Sequence, residues 1–220
     1  SEITMDNKVL NQLASKLGER GDQANIRLAE AIAAAQDLEA IQELITALPK
    51  ASAVLASDII KTLYETGKRQ PELISPHIEV FLKLLRGKNP RLIWGGMMAL
   101  ETVAKISANA LFPSVSILQE SIRTGSVITR DAGIGTLAGL ASAKPEFAQA
   151  LMPFLLEHLR TCRPASVAQH AEKIANCASG SYTPDFTEVL ESRIPDLSAS
   201  QAQRVRKLIK NATRKANDRI

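Results

Sequence analysis

The sequence has few aromatic residues, few cysteines and no long apolar run, and each shortage excludes a class of protein. Aromatic residues make up 4% of the 220 residues and hydrophobic residues 45%, so the predicted core is aliphatic. Two cysteines, Cys162 and Cys177, are too few for a disulfide framework, which indicates a reduced, cytoplasmic setting. The sequence contains neither a secretion-signal pattern nor an apolar run of about 18 residues, so we predict no membrane span and no membrane partner.

Motifs for catalysis, cofactors and metals are also missing. Several glycines lie in predicted helices, but no strand precedes them and no Lys-Ser/Thr pair follows, which excludes a P-loop. These glycines are Gly95, Gly96, Gly133, Gly135 and Gly139. We interpret them as sites of close packing between A helices, the first helices of neighbouring repeat units. The three histidines are scattered, and we predict no metal site, no cofactor and no catalytic residue. We therefore expect a protein that is not an enzyme.

What the sequence does contain is a repeat with a period near 37 residues. One series of residues at this spacing is Ile60, Met97, Ile134, Ala171 and Leu208, and another is Leu63, Leu100, Leu137 and Ile174. Periods of about 20–50 residues are typical of proteins built from stacked repeats. Each unit has two apolar stripes at helical spacing, separated by glycine or proline, which predicts a pair of antiparallel helices.

The predicted fold is all-α: a right-handed α-α superhelix, or solenoid, of about five stacked antiparallel helix pairs with capping helices. It divides into an N-terminal capping helix (1–19), the repeats (20–199) and a basic C-terminal capping helix (200–220), all in one structural domain. The first helices of the pairs, called A helices, are predicted near 22–35, 52–66, 91–106, 128–142, 165–178 and 200–216. The second helices, called B helices, are predicted near 37–48, 73–86, 110–123, 146–161 and 184–193, and the N-terminal helix near 5–18.

Two segments at the start of A helices resemble the HEAT-like repeat family. The stretch from Asn89 to Leu100 has a turn, a proline and then small and apolar residues ending in Ala-Leu, and the stretch from Ser126 to Leu137 is similar. The resemblance covers roughly 20–216. It implies a scaffold or adaptor, although a minority of such proteins, the alkyl-purine DNA glycosylases and some chromophore lyases, carry out chemistry. The connections leave little room for the third short helix of an armadillo unit.

The leading hypothesis is a non-enzymatic protein-protein interaction or scaffold module, with the B helices forming its concave surface. Arginines recur at the ends of the B helices, where they offset the helix dipole and pair with nearby acids, or contact a partner. A second recurring row is apolar, and either packs against the next repeat or forms a groove for a peptide. The candidate partner-binding residues are Val80, Lys83, Arg86, Ile117, Glu120, Arg123, Phe154, Glu157 and Arg160.

Positive charge is concentrated at the C-terminus, which supports a different hypothesis. Residues 201–220 carry a formal charge of +6 against +4 for the whole chain. The candidates are Arg204, Arg206, Lys207, Lys210 and Arg214. Their helix either caps the solenoid or binds an acidic protein or nucleic acid. The alternative function is therefore nucleic-acid binding, as in the HEAT-like alkyl-purine DNA glycosylases, with Trp94 and Asp131 as lesion-site candidates. A lone tryptophan on an A helix is more often a packing residue on the convex side.

Overall fold

The structure is a computed structural model that describes residues 7–218, and every regular element in that range is helical. The A helices are α2 (Gln23–Ala35), α4 (Ala53–Arg69), α6 (Pro90–Val103), α9 (Val127–Ala143), α11 (Pro164–Ile174) and α13 (Ala199–Asn217). The B helices are α3 (Leu38–Ala47), α5 (Ile78–Leu85), α8 (Val115–Thr124), α10 (Pro145–Thr161) and α12 (Thr183–Arg193). Two short helices, α1 (Ala14–Leu17) and α7 (Ala108–Leu111), complete the set.

Side-chain caps start several A helices, and they recur with the period of the repeat. Ser52, Asn89 and Ser126, spaced 37 residues apart, each accept a hydrogen bond from a backbone N–H in the first turn of the helix that follows. Such a cap stabilises a helix by about 1 kcal/mol. The next position in the series is Arg163, which provides no such cap for α11. The regular pattern is thus interrupted where α10 meets α11.

The A helices line the inner side of the superhelix. Successive A helices pack against one another more extensively than most successive B helices do, and the more closely packed side of a curved stack is its concave side. A long-range contact agrees: Nζ of Lys173 on α11 lies 2.7 Å from Oε2 of Glu101 on α6, across the intervening α9. The expectation that B helices form the concave surface is therefore wrong, because the A helices lie closer together.

Glycine permits this close packing of A helices. A Cβ atom at Gly95 of α6 would lie 2.8 Å from Cγ1 of Ile60 on α4. A Cβ atom at Gly139 of α9 would also lie 2.8 Å from the Cβ of Ala104, at the end of α6. Both separations are shorter than real contacts between such carbon atoms. The prediction of packing between A helices is confirmed at Gly95, Gly135 and Gly139, whereas Gly96 and Gly133 face Leu84 of α5 and Ile122 of α8, which are B helices.

The apolar core runs continuously between the A and B layers. Ile60, Met97, Ile134 and Ala171, which form the first periodic series, are all buried, whereas Leu208 is only partly buried because no further A helix follows α13 among the described residues. The all-α superhelix predicted from the period is confirmed. Between residues 7 and 218, no helix is both long enough and apolar enough to cross a bilayer.

The connections between A and B helices differ from the prediction. The helix α7 occupies the link between α6 and α8, and a short 3-10 turn at Pro71–Leu73 occupies the corresponding link after α4. The expectation that no third helix would fit is therefore wrong. The predicted B helices beginning near 73 and 110 start later, at Ile78 and Val115, because these turns use the first residues.

The N-terminal cap is also shorter than the single helix predicted over 5–18. It consists of a 3-10 turn, Leu10–Gln12, and α1, with the backbone extended at Leu13 between them. Asn25 and Asp58 cause the interruption, since each side chain accepts a 2.9 Å hydrogen bond from a backbone N–H at the start of α1. Residues 5 and 6 of the predicted helix lie outside the described residues, as do 219 and 220 of the predicted C-terminal cap.

Candidate functional site

An exposed or partly exposed stripe of each A helix forms the concave face, and it repeats every 37 residues. On α6 and in the turn directly after it, the stripe consists of Arg91, Trp94, Met98, Thr102 and Lys105. The corresponding stripe on α9 consists of Ile128, Asp131, Gly135, Gly139 and Ser142. Equivalent positions therefore carry large side chains on α6 and small ones on α9. Beside the small side chains of α9 lies a cavity of about 580 Å³, and the partly exposed Trp94 stands on α6.

Trp94 borders a cavity on the concave face. Its ring lies 6.3 Å from that of Tyr64 on α4, at an angle of 55° between the ring planes. The ammonium groups of Lys61 and Lys68 lie 5.0 and 5.1 Å from the centre of the Tyr64 ring. The cavity, of about 590 Å³, is lined by these aromatic rings, by Arg91 and by residues of α1 and α2. Trp94 is thus on the concave side, not on the convex side expected of a lone tryptophan.

The concave face carries both charge signs, and its acids are paired. Glu65 accepts hydrogen bonds from Lys61 (2.9 Å), Lys68 (3.0 Å) and Arg69 (2.8 Å). Burial opposes ionisation of Glu65, but the hydrogen bonds from Arg69 and the two lysines outweigh it and lower its pKa from 4.5 to about 2. At the other end of the face, Glu172 accepts a 2.6 Å hydrogen bond from the guanidinium of Arg204. The described part of this face is a mosaic of charges, not a basic trough.

Trp94 and Asp131, the residues predicted for a lesion site, are engaged in separate interactions. The carboxylate Oδ1 of Asp131 lies 2.6 Å from Nε2 of His170 on α11. Trp94 packs beside Tyr64, and the cavity it lines does not include Asp131. The structure therefore does not place the two residues in one pocket.

The predicted partner-binding row lies along one rim, where the B helices end. Its apolar members, Val80, Ile117 and Phe154, are partly buried. Its charged members are all exposed: Lys83, Arg86, Glu120, Arg123, Glu157 and Arg160. Arg123 lies 3.7 Å from Glu120 and Arg160 lies 3.4 Å from Glu157, as the ion-pair interpretation predicts. A role of this row in binding stays a prediction.

The rim has two cavities that occupy the same place in the repeat, two periods apart. The first, of about 510 Å³, is mainly aliphatic, and its lining includes Ala56, Val80, Leu84, Lys88 and Leu92. The second, of about 470 Å³, is lined by the residues found 74 positions later, which are Arg130, Phe154, His158, Cys162 and Ser166. The same cavity of the repeat is therefore lined mainly by apolar side chains beside α5, and by polar and titratable side chains beside α10.

The second cavity contains potential metal ligands that were not predicted from the sequence. His158, Cys162 and His170 each offer a ligand atom within 4.8 Å of the other two. Nε2 of His158 lies 2.8 Å from Nδ1 of His170. Cys162 follows His158 by four residues on or next to α10, and this helical spacing was an available signal that we missed. His170 lies on α11 and joins the cluster only through the fold.

Burial controls the protonation of this cluster. It lowers the pKa of His158 to about 4, with further contributions from His170 and from the positive charge of Arg130. Burial also lowers the pKa of His170, although the hydrogen bond to Asp131 opposes the change. The pKa of the Cys162 thiol is raised by burial. Both imidazoles are therefore neutral near pH 7, which is the form that coordinates metals.

The C-terminal helix α13 packs through Ala202 and Val205, both buried. Arg204 is paired with Glu172. The other basic candidates are exposed, and none forms an ion pair with a residue in the range 7–218: Arg206, Lys207, Lys210 and Arg214. The helix therefore caps the core and also presents unpaired positive charge to solvent.

Comparison with known proteins shows likeness in fold. No protein-family model and no curated protein matches the sequence. A computationally designed armadillo repeat protein for modular peptide recognition has a TM-score of 0.63 at 19% identity, covering 91% of this chain and 89% of its own. A designed armadillo repeat protein in complex with the peptide (KR)4 has a TM-score of 0.61 at 20% identity, covering 92% and 90%. An engineered protein has a TM-score of 0.62 at 19% identity, covering 94% and 96%. The chain therefore has the fold of the armadillo- and HEAT-like helical repeat proteins.

Proposed function

We propose that this protein is a non-enzymatic interaction module that binds an extended peptide segment of a partner protein along the concave face of its A helices. The observation that carries the proposal is Trp94, a partly exposed tryptophan beside a cavity of about 590 Å³ on that face. Tryptophan and arginine are over-represented among the residues that dominate binding energy at protein interfaces, and Arg91 lines the same cavity.

Two further features support a peptide as the ligand. The concave face is extended, since its stripe repeats on successive A helices, and an extended chain can contact several of these stripes at once. Two of the proteins that share this fold are described as binding or designed to recognise peptides.

Both cysteines are free thiols, which suits the cytoplasmic setting expected from the sequence.

The test is selection of random peptides from a phage-displayed library on the immobilised protein, followed by affinity measurement for the enriched sequences. We expect Trp94→Ala to weaken binding at least about tenfold, because truncating a tryptophan that dominates an interface costs about 2 kcal/mol or more. The matched control is Leu38→Ala, which removes another exposed apolar side chain (63% exposed) at the start of α3, on the outer layer.

The variants must first give the wild-type circular dichroism spectrum, so that a binding loss reports the interface and not unfolding. The proposal is supported if Trp94→Ala loses affinity while Leu38→Ala retains it. It fails if the library yields no enriched peptide, or if the selected peptides bind the Trp94→Ala protein as tightly as the wild type.

A second candidate partner is an acidic protein or nucleic acid at α13. The observation that favours it is the row of exposed cations on this helix, of which Arg204 alone is paired with a carboxylate in the described chain. An ordinary polar cap would be expected to carry both charge signs. This contact would lie on the last A helix, away from the Trp94 cavity, and would depend strongly on ionic strength.

A further inference from the structure

We propose that His158, Cys162 and His170 bind a zinc ion, with Asp131 orienting His170 from behind. The three ligands lie where α10 meets α11, at the second rim cavity, away from the Trp94 cavity proposed above to bind peptide, and Asp131 alone also belongs to the concave stripe of α9. The site does not depend on that function.

Comparison of the repeats shows that the cluster is an addition to the solenoid. The position of His158 is occupied by Leu84 and Ser121 in the two preceding repeats, and the position of His170 by Gly96 and Gly133. At Gly96 an added Cβ would lie 3.0 Å from the Cβ of Leu84, so the ordinary contact here is close and apolar. The two preceding repeats therefore stack without a histidine at either position, so the histidines are not needed for the fold.

A buried and a partly buried imidazole are a costly replacement for such a contact. His170 is fully buried, and a polar ring in that position requires partners inside the protein. It has two: Nε2 faces Asp131 at 2.6 Å and Nδ1 faces His158 at 2.8 Å. The position before α11 is altered as well, since Arg163 replaces the capping Ser or Asn of earlier repeats and donates to Ser166 at 2.9 Å.

The arrangement of atoms suits a metal. Because the Asp131 carboxylate accepts a hydrogen bond from Nε2–H of His170, Nδ1 presents its lone pair towards His158. A carboxylate behind a ligating histidine fixes the tautomer and increases the basicity of the ligand, as in many zinc proteins. The proton now shared between the two imidazoles would move to Nδ1 of His158 when the metal binds, and the thiol proton of Cys162 would be released to solvent.

The distances are close to those of a tetrahedral site. Zn–N bonds of about 2.0 Å and a Zn–S bond of about 2.3 Å separate neighbouring ligand atoms by roughly 3.3–3.6 Å. The imidazole nitrogens, at 2.8 Å, need to move apart slightly, and the sulfur, within 4.8 Å, needs to approach. Cys162 is only partly buried, so it can turn, and its carbonyl oxygen is held by Arg193 at 2.7 Å.

The choice of zinc follows from the ligands and charges. A thiolate with two imidazoles favours zinc over magnesium or calcium, which prefer oxygen ligands. The thiolate and Asp131 together offset the two positive charges of the ion. Two arginines lie near the cluster: Arg193 donates to Sγ of Cys162 at 3.9 Å and to the carbonyl oxygens of Leu159 and Cys162, and Arg130 is directed to the carbonyl oxygens of Ile122 and Gly125, at 3.1 and 3.4 Å. Three protein ligands leave the fourth position to water in the cavity of about 470 Å³.

The experiment is metal titration of the full chain after chelator treatment and dialysis. Zinc affinity is measured by competition with a chromophoric chelator, and cobalt is used as a spectroscopic substitute. We expect one equivalent of metal per chain, with tetrahedral d–d bands and a sulfur-to-cobalt charge-transfer band. Cys162→Ser should remove the charge-transfer band, and Asp131→Asn should weaken zinc binding about 10–100-fold. The control is His77→Gln, which replaces the one histidine outside the cluster and should leave zinc binding unchanged.

A replacement that matches the earlier repeats keeps the test independent of folding. His158→Leu restores the residue found at Leu84, so we expect it to fold and to lose zinc binding. The proposal is overturned if the wild type binds no stoichiometric zinc, if cobalt binds without a sulfur band, or if folded His158→Leu binds zinc as tightly as the wild type.

Discussion

At the scale of single residues, Glu65 shows how burial and charge pairing balance. Its side chain is 9% exposed and lies among Lys61, Lys68 and Arg69. A lone buried carboxylate would have a raised pKa, but here the three cations lower it to about 2. Glu65 therefore stays ionised in the folded protein at pH values where an unfolded chain would be protonated.

This difference predicts a pH-dependent stability. Because the folded pKa lies below the unfolded value of 4.5, the stabilisation is complete above pH 4.5 and is lost as the pH falls towards 2. We expect Glu65→Gln to lower the free energy of unfolding by roughly 2–3 kcal/mol at pH 7 and to flatten its decline between pH 4.5 and 2. Urea denaturation at a series of pH values measures both effects.

The control for this prediction is Glu172→Gln, which removes a carboxylate from the exposed pair with Arg204. An exposed pair contributes little, so the expected change is within about 1 kcal/mol. The interpretation of Glu65 as a buried, ionised carboxylate would be contradicted if both variants lost the same free energy of unfolding. It would also be contradicted if the free energy of unfolding of Glu65→Gln declined with falling pH as steeply as that of the wild type.

At the scale of helices, two glycines of α9 are expected to respond differently to substitution. Gly139 faces the Cβ of Ala104, which cannot move without the backbone, whereas Gly135 faces only the carboxylate end of Glu101. We expect Gly139→Ala to destabilise the protein by about 1–3 kcal/mol through overpacking. Gly135→Ala should be close to neutral, since the gain in helix propensity of about 1 kcal/mol offsets the displaced side chain.

Thermal unfolding of the two variants, which serve as controls for each other, checks this prediction. Similar melting temperatures for Gly135→Ala and Gly139→Ala would mean that the A helices can separate without cost. That result would contradict the close packing of α6 and α9.

The helices also show what a sequence can and cannot predict. The 37-residue period predicted the A helices and their packing glycines, because each depends on neighbours at a fixed spacing. It did not predict the break at Leu13, which depends on Asn25 and Asp58 from two other helices. Nor did it show that the A helices form the concave face, since curvature follows from distances between helices. The metal-ligand cluster was missed for two reasons: the four-residue spacing of His158 and Cys162 was overlooked, and His170 joins them only because α11 packs beside α10.

At the scale of the whole molecule, the charge distribution is uneven, with +6 in residues 201–220 against +4 overall. If α13 binds nucleic acid, the protein should bind duplex DNA at low salt, and the affinity should fall steeply as salt is added. Changing Arg206, Lys207 and Lys210 together to Glu should abolish this binding. Fluorescence anisotropy with labelled duplex DNA at several salt concentrations provides the measurement.

The matched control reverses three exposed lysines elsewhere, Lys16, Lys50 and Lys88, to give the same net charge. Loss of binding in both triple variants would indicate attraction by net charge alone. Absence of any affinity in the wild type at low salt would exclude nucleic acid as the partner of α13.

The contact between Lys173 and Glu101 influences how the superhelix bends. The two residues belong to A helices that are second neighbours, so their 2.7 Å contact links α6 and α11 on the inner side of the superhelix. Straightening the superhelix would move α11 away from α6 and lengthen the contact between Lys173 and Glu101. A ligand that fits the bent form would leave this contact intact, whereas one that straightens the superhelix would have to break it, at the small cost expected of a partly exposed ion pair.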